Sequence, residues 1–181
     1  MQLFFYLPTF LTIIRALSAV SWVPYGILYL VPASLPAASC IAFAIMLAAL
    51  TDFADGFIAR RYGSYSLLGE ILDPVADKAL VLVALIAYSI IAVVSIWPVI
   101  VFLFRELLVM TVRAYAAQIG KPIAVERLGK YKTALQMVLI VLLPISYWQG
   151  GLLSIVCQLI ILVAVALSCI SCYHYCNQVV R

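Results

Sequence analysis

Charge is scarce in this sequence. Only 10% of its 181 residues are Asp, Glu, Lys or Arg, and there is one histidine. An ordinary soluble domain, in which about a quarter of the residues carry charge, is thereby excluded. Also missing is a basic stripe interleaved with aromatics, so no nucleic acid is expected as a partner. Internal repeats and low-complexity segments are absent too. The five cysteines, Cys40, Cys157, Cys169, Cys172 and Cys176, are odd in number and fall in apolar runs, which argues against a disulfide framework. In Cys172-x-His174-x-Cys176, helical spacing turns the histidine away from the two thiols, so these residues read as buried side chains and not as a zinc site. The opening MQLFFYLPTFLTIIRALSAV has neither a basic leader nor a small-residue cleavage site and is read as mature sequence.

Long hydrophobic runs take the place of what is missing. Hydrophobic residues make up 67% of the chain, and the mean hydropathy is +1.21. At about 20 residues per span, this length accommodates roughly six helices and leaves no room for a separate soluble domain. The expected fold is all-α: one polytopic membrane domain over residues 1–181, with six transmembrane helices. Met1 to Leu7 form a short interfacial lead-in. The spans are expected at Pro8 to Val31, Ala38 to Arg61, Leu67 to Val94, Pro98 to Ile119, Gly129 to Tyr147 and Leu152 to Tyr175. Turns are expected at Pro32 to Pro36, Gly63 to Ser66, Gly120 to Pro122 and Gly150-Gly151. Pro74 is expected to bend the third span.

The few basic residues are unevenly placed. Arg60, Arg61, Lys121, Arg127, Lys130 and Lys132 lie at or near the loops after the second and fourth expected spans, and Arg181 ends the chain, whereas the loops after spans one, three and five hold no Lys or Arg. The positive-inside rule then puts the basic loops and both termini in the cytoplasm. The net charge of +4 is largely this topology signal, and it favours anionic lipid head groups as neighbours. Arg15, about two turns into the first span, either snorkels to the interface or faces the bundle.

Acidic residues are fewer still, and five of the seven crowd between Asp52 and Asp77. Ionised carboxylates in an apolar setting need pairing, hydration or a cation. Asp52 and Asp55 are three apart and Asp73 and Asp77 four apart, so on helices each pair shares a face. Two such faces packed antiparallel would gather four carboxylates, whose mutual repulsion one or two divalent cations would relieve. An all-oxygen ligand set suits Mg²⁺ or Mn²⁺ better than zinc. Gly56 and Gly69 leave open positions one turn from Asp52 and Asp73, and Arg60 is placed to meet an anion. A single Asp–Arg pair would be read as an internal salt bridge. Four aspartates with only Arg60, Arg61 and Lys78 nearby leave the charge unbalanced.

The run Asp52-x2-Asp55-Gly56-x2-Ala59-Arg60-x8-Gly69-x3-Asp73-x3-Asp77 resembles the complete signature of the CDP-alcohol phosphotransferase family. The resemblance implies an integral membrane enzyme that moves a phosphatidyl or related group from a cytidine diphosphate donor to an alcohol, releasing CMP. By the same resemblance Asp52, Asp55 and Asp73 would hold metal, with two ions expected. Asp77 would sit at the second metal or act as the catalytic base. Asp52, Gly56, Arg60, Ser66 and Gly69 would line the donor nucleotide, and a homodimer is implied.

A second constellation lies further on. Arg105-Glu106 and Arg113 are followed by Glu126-Arg127-Leu128-Gly129-Lys130-Tyr131-Lys132-Thr133. Arg105, Arg113, Lys130 and Lys132 are the candidates to hold a phosphate on the acceptor, because guanidinium forks and ammonium groups bind phosphate through charge-assisted hydrogen bonds. Arg105 paired with Glu106 in a structural salt bridge is the competing reading, and Glu106 pairing with another helix is a further possibility. These runs, with Leu7-Pro8-Thr9-x-Leu11-Thr12-x-x-Arg15, resemble family members that use glycerol 3-phosphate. The expected reaction is thus phosphatidyl transfer from CDP-diacylglycerol to sn-glycerol 3-phosphate at the cytoplasmic face of a bacterial cytoplasmic membrane. The alternatives are another acceptor, inositol phosphate or phosphatidylglycerol, and, from a different class, a cation or proton transporter.

Overall fold

A computed structural model describes the backbone at residue 17 and over 20–62, 67–120 and 127–180; side chains are described over the same stretches apart from 52–77, 117, 127–128 and 179–180. Every regular element among the described residues is helical. A short turn, α1 (Trp22–Tyr25), runs into a π-helical segment, Gly26–Leu30. It is followed by α2 (Leu35–Tyr62), α3 (Leu67–Ile90), α4 (Ile96–Gln118), α5 (Arg127–Gln149) and α6 (Gly151–Val180). Among the described residues two stretches are long and apolar enough to cross a membrane, Gly129–Gln149 and Gly151–Gln178, and Leu35–Thr51 and Lys78–Ile90 are shorter apolar stretches. Of the first expected span only the end is described; the lead-in, Pro8 and Arg15 lie outside the described residues.

Helix ends follow local chemistry, and most differ from expectation by one to five residues: α4 begins at Ile96, α5 spans Arg127–Gln149 and α6 runs on to Val180. The turn expected over Pro32 to Pro36 is shorter, because α2 already begins at Leu35. The Ser34 hydroxyl accepts a hydrogen bond from the Ala37 N–H at 3.3 Å, and Pro36 occupies the first helical turn, where its missing N–H has no helical partner to lose. At the other end of the pair, α3 stops at Ile90, before the expected Val94. Ala92 takes a left-handed conformation, φ 57°. The Val93 and Ala92 N–H groups turn back to the carbonyls of Tyr88 and Ser89, at 3.0 and 3.1 Å. That double bond is the Schellman arrangement, here with alanine where glycine is usual. The backbone of α3 is helical through Pro74; the bend expected there lies outside the described side chains.

The α5–α6 connection is a tight reversal. Gly150 and Gly151 have φ of 58° and 51°, a sequence of two left-handed residues that side-chain-bearing residues rarely adopt. The resulting hairpin packs closely along its length; α2 also rests on α5, and α4 on α6, while α3 contacts α4 and α5. The core lies between these helices and the π segment: Val23, Ile27, Ile41, Ile45, Leu80, Leu85, Tyr88, Phe102, Leu139, Ile140 and Leu143 are all buried. Polar links tie the frame across long separations. The Trp148 indole donates to the Val31 carbonyl at 2.8 Å, and the Tyr88 phenol donates to the Ile140 carbonyl at 3.0 Å.

Candidate active site

The aspartate positions fall on two consecutive helices. The backbone of α2 is helical through Asp52, Asp55, Gly56 and Arg60, and that of α3 through Gly69, Asp73 and Asp77. The three- and four-residue spacings thus stand on helical backbone, as one shared face per pair requires. The side chains of these residues lie outside the described set, and Ser66 lies outside it altogether. A donor set made only of carboxylates, on helices in an apolar chain, fits a hard divalent cation. Among the described residues no group of three potential ligands gathers.

One residue after Asp77, the described side chains begin with a buried charge cluster. Its centre is Glu106 on α4. One carboxylate oxygen, Oε1, accepts from Lys132 Nζ on α5 and from Arg105 Nη1 at 3.2 Å. The other, Oε2, lies 3.1 Å from Lys78 Nζ on α3. Arg105 continues the network into α6, where its Nη2 donates to Ser171 Oγ at 2.6 Å and its guanidinium stands 5.9 Å from the centre of the Tyr175 ring. Lys132 is only 1% exposed, and Arg105 and Glu106 are each 7% exposed.

The local sequence explains how one cluster reaches four helices. Arg105 and Glu106 are consecutive on α4, about 100° apart around its axis; one turns toward α6, the other toward α3 and α5. Gly129 lies in the first turn of α5 beside Arg105: a Cβ there would stand 3.5 Å from Nη2, so the guanidinium lies against glycine backbone. Lys132, three residues on, falls near the same face and is buried, whereas Lys130 is exposed.

Of the four candidate phosphate ligands, Arg105 and Lys132 meet in this cluster. Arg113 and Lys130 are exposed and form no part of it. Both pairings considered for Glu106, with Arg105 and with another helix, are present together. Lys78, Ser171 and Tyr175 were not foreseen as members. Lys78 had a signal, its place next to Asp77, but the α6 residues are 66 positions or more from Arg105 and no spacing rule reaches them. Among the described residues three cations surround one carboxylate, Arg105 and Lys132 buried and Lys78 a third exposed. Buried positive charge in excess of its partner is stabilised by an anion.

The sequence profile of CDP-alcohol phosphatidyltransferases matches residues 5–170. The chain belongs to the CDP-alcohol phosphatidyltransferase family. Curated relatives named CDP-diacylglycerol–glycerol-3-phosphate 3-phosphatidyltransferase include one from Sodalis glossinidius, 37% identical over 76% of this chain and 75% of its own. One from Rickettsia felis is 34% identical over 93% of this chain and 92% of its own. Another, from Salmonella paratyphi A, is 38% identical over 74% of each chain. The profile match takes in the aspartate run, Lys78, the Arg105–Glu106 pair and Lys132, so the motif and the charged residues of the cluster lie within one CDP-alcohol phosphatidyltransferase region.

Proposed function

We propose that this chain transfers the phosphatidyl group of CDP-diacylglycerol to sn-glycerol 3-phosphate, forming phosphatidylglycerophosphate and releasing CMP. The observation that carries the choice of a phosphate-bearing acceptor is the excess of cations over carboxylate around Glu106 among the described residues. A phosphate monoester brings about −1.5 to −2 at neutral pH, enough to balance it. Glycerol alone brings no charge, and the phosphodiester of phosphatidylglycerol brings one. The names of the relatives favour glycerol 3-phosphate over inositol phosphate.

In this reading Asp52, Asp55, Asp73 and Asp77 hold two Mg²⁺ or Mn²⁺ ions. Bound there, the metal would neutralise the donor diphosphate and the charge that develops on the departing CMP. Gly56 and Gly69 leave room for the nucleotide, Arg60 meets its phosphates, and Ser66 contributes a hydroxyl. Arg105 and Lys132 form the inner part of the acceptor-phosphate seat, and Arg113 and Lys130 guide the anion from the exposed side. Asp77 takes the proton of the acceptor hydroxyl. The oxygen then bonds to the lipid-linked phosphorus while the bond from that phosphorus to the CMP oxygen breaks.

The proposed setting is a homodimer in a bacterial cytoplasmic membrane, each chain crossing it six times with the site toward the cytoplasm. The basic loops support this orientation, and CMP would leave into water while the diacylglycerol tails stay between helices and bilayer. The test is CMP release by purified protein in detergent with CDP-diacylglycerol and Mg²⁺, comparing glycerol 3-phosphate, glycerol, inositol phosphate and phosphatidylglycerol, with Asp77→Asn as control. Release that requires glycerol 3-phosphate and disappears in the variant supports the proposal; release with another acceptor alone overturns it.

A further inference from the structure

Lys78 reaches Glu106 from α3, on the opposite oxygen from the one that holds Lys132 and Arg105. Its backbone is bonded directly to that of Asp77. The space on this side is a void of about 10 Å³, lined by Lys78, Val81, Leu82, Glu106, Thr133 and Gln136. That is the scale of a single water, far too small for a phosphate. Among the described side chains no phosphate-sized space opens between Lys78 and Glu106, which stand 3.1 Å apart, and the lysine is placed as a link. Arg105 and Lys132 face the other oxygen. Arg105 Nε and Glu106 Oε2, both buried, have no hydrogen-bond partner among the described residues, so Lys78 meets Oε2 as an ion pair, at 3.1 Å. Donor capacity thus remains on the Arg105 side of Glu106, and on the α3 side the carboxylate is held by the charge of Lys78.

Resting on the proposed reaction, we infer that Lys78 and Glu106 are positioning residues that couple the acceptor-phosphate seat to the base. Glu106 holds Arg105 and Lys132 in fixed places. Through Lys78 it also fixes the turn of α3 that carries Asp77. The acceptor's phosphate and the hydroxyl to be deprotonated belong to one small molecule, so seat and base must keep a constant separation. A displacement of about 1 Å between reacting groups lowers rates on the order of 100-fold. Lys78 touches neither substrate in this arrangement; its effect passes through Glu106 and the α3 backbone.

The experiment uses the full chain in detergent, with CDP-diacylglycerol saturating and glycerol 3-phosphate titrated. Lys78→Met, with the neutral Lys78→Gln as a second variant, is expected to lower kcat on the order of 10- to 100-fold while acceptor KM stays within about twofold. Lys78→Arg, which keeps the ion pair, is expected to recover most of kcat. In a Glu106→Gln background, replacing Lys78 is expected to add little further loss. An unchanged kcat in folded Lys78→Met, or a raised KM at constant kcat, overturns the inference; the second result would make Lys78 a direct phosphate ligand. An equal fall in the Glu106→Gln background also overturns it, since Lys78 would then act independently of Glu106. Failure of the underlying reaction is seen in the wild type, as CMP release without any need for glycerol 3-phosphate, before variants are compared.

Discussion

The Tyr88 phenol donates to the carbonyl of Ile140, 52 residues away, across the α3–α5 contact. Ile140 is four residues before Pro144, so its carbonyl is the one that this proline, lacking an N–H, leaves without a helical donor. Tyr88 and Ile140 are both fully buried, and an unsatisfied carbonyl there would cost about 1–3 kcal/mol. Proline inside α5 is tolerated because another helix supplies the missing donor.

Tyr88→Phe is therefore expected to destabilise the fold by about 1–3 kcal/mol, read as a lower thermal midpoint in detergent. Pro144→Ala restores the helical N–H to Ile140. In the Pro144→Ala background the Tyr88→Phe loss is expected to shrink markedly, and a double-mutant cycle measures the coupling. Equal losses in both backgrounds would show that the phenol's hydroxyl does not serve this carbonyl.

Glu106→Ala is expected to be far more damaging than its single negative charge suggests. It leaves buried Arg105 and Lys132 without their shared carboxylate, an imbalance that costs about 3–5 kcal/mol when one partner of a buried pair is removed. Glu106→Leu combined with Lys132→Met removes one of the two stranded cations, Arg105 keeping its bond to Ser171, and is expected to regain part of the thermal midpoint while CMP release stays low. Recovery of activity along with stability would place the acceptor phosphate elsewhere.

Ala92→Gly is expected to stabilise the protein by about 1 kcal/mol. The left-handed backbone at Ala92 costs an L-residue roughly 1–2 kcal/mol, offset in part by the greater chain entropy glycine loses on folding. Ala92 is exposed beyond the end of α3, so turnover per folded molecule should not change. Thermal unfolding alongside CMP release separates the two effects.

Removal of divalent cations by a chelator is expected to abolish CMP release, with recovery on adding Mg²⁺ or Mn²⁺ and not Zn²⁺, since the aspartate set offers only hard oxygen donors. Asp73→Asn is expected to raise the Mg²⁺ concentration needed for half-maximal rate. Full activity in excess chelator would remove the aspartates from the chemistry.

Hydrophobic run length and glycine placement made the helices from α2 to α6 legible in the sequence, because spans and left-handed turns are local properties. Two of the helix ends that shifted did so through equally local chemistry: Ser34 capping α2 around Pro36, and Ala92 closing α3 without a glycine to announce it. The aspartate run was legible as a motif because its spacing is periodic. Glu106 as the meeting point of Lys78, Arg105 and Lys132 was legible only in part, since sequence marks which charges are scarce but not which helices turn them together. Ser171 and Tyr175 carried no sequence signal. Their part follows from α6 lying along α4, a packing choice spread over many weak apolar contacts.

The Arg105–Ser171 bond spans 66 residues, which gives it a place in time as well as in space. At a synthesis rate of about 5–20 residues per second, the guanidinium is made roughly 3–13 s before the hydroxyl that receives it. The charge cluster therefore cannot be completed by the growing chain. It closes only when α6 docks on α4, so the bond that finishes the buried network forms after every other helix of the cluster has been made.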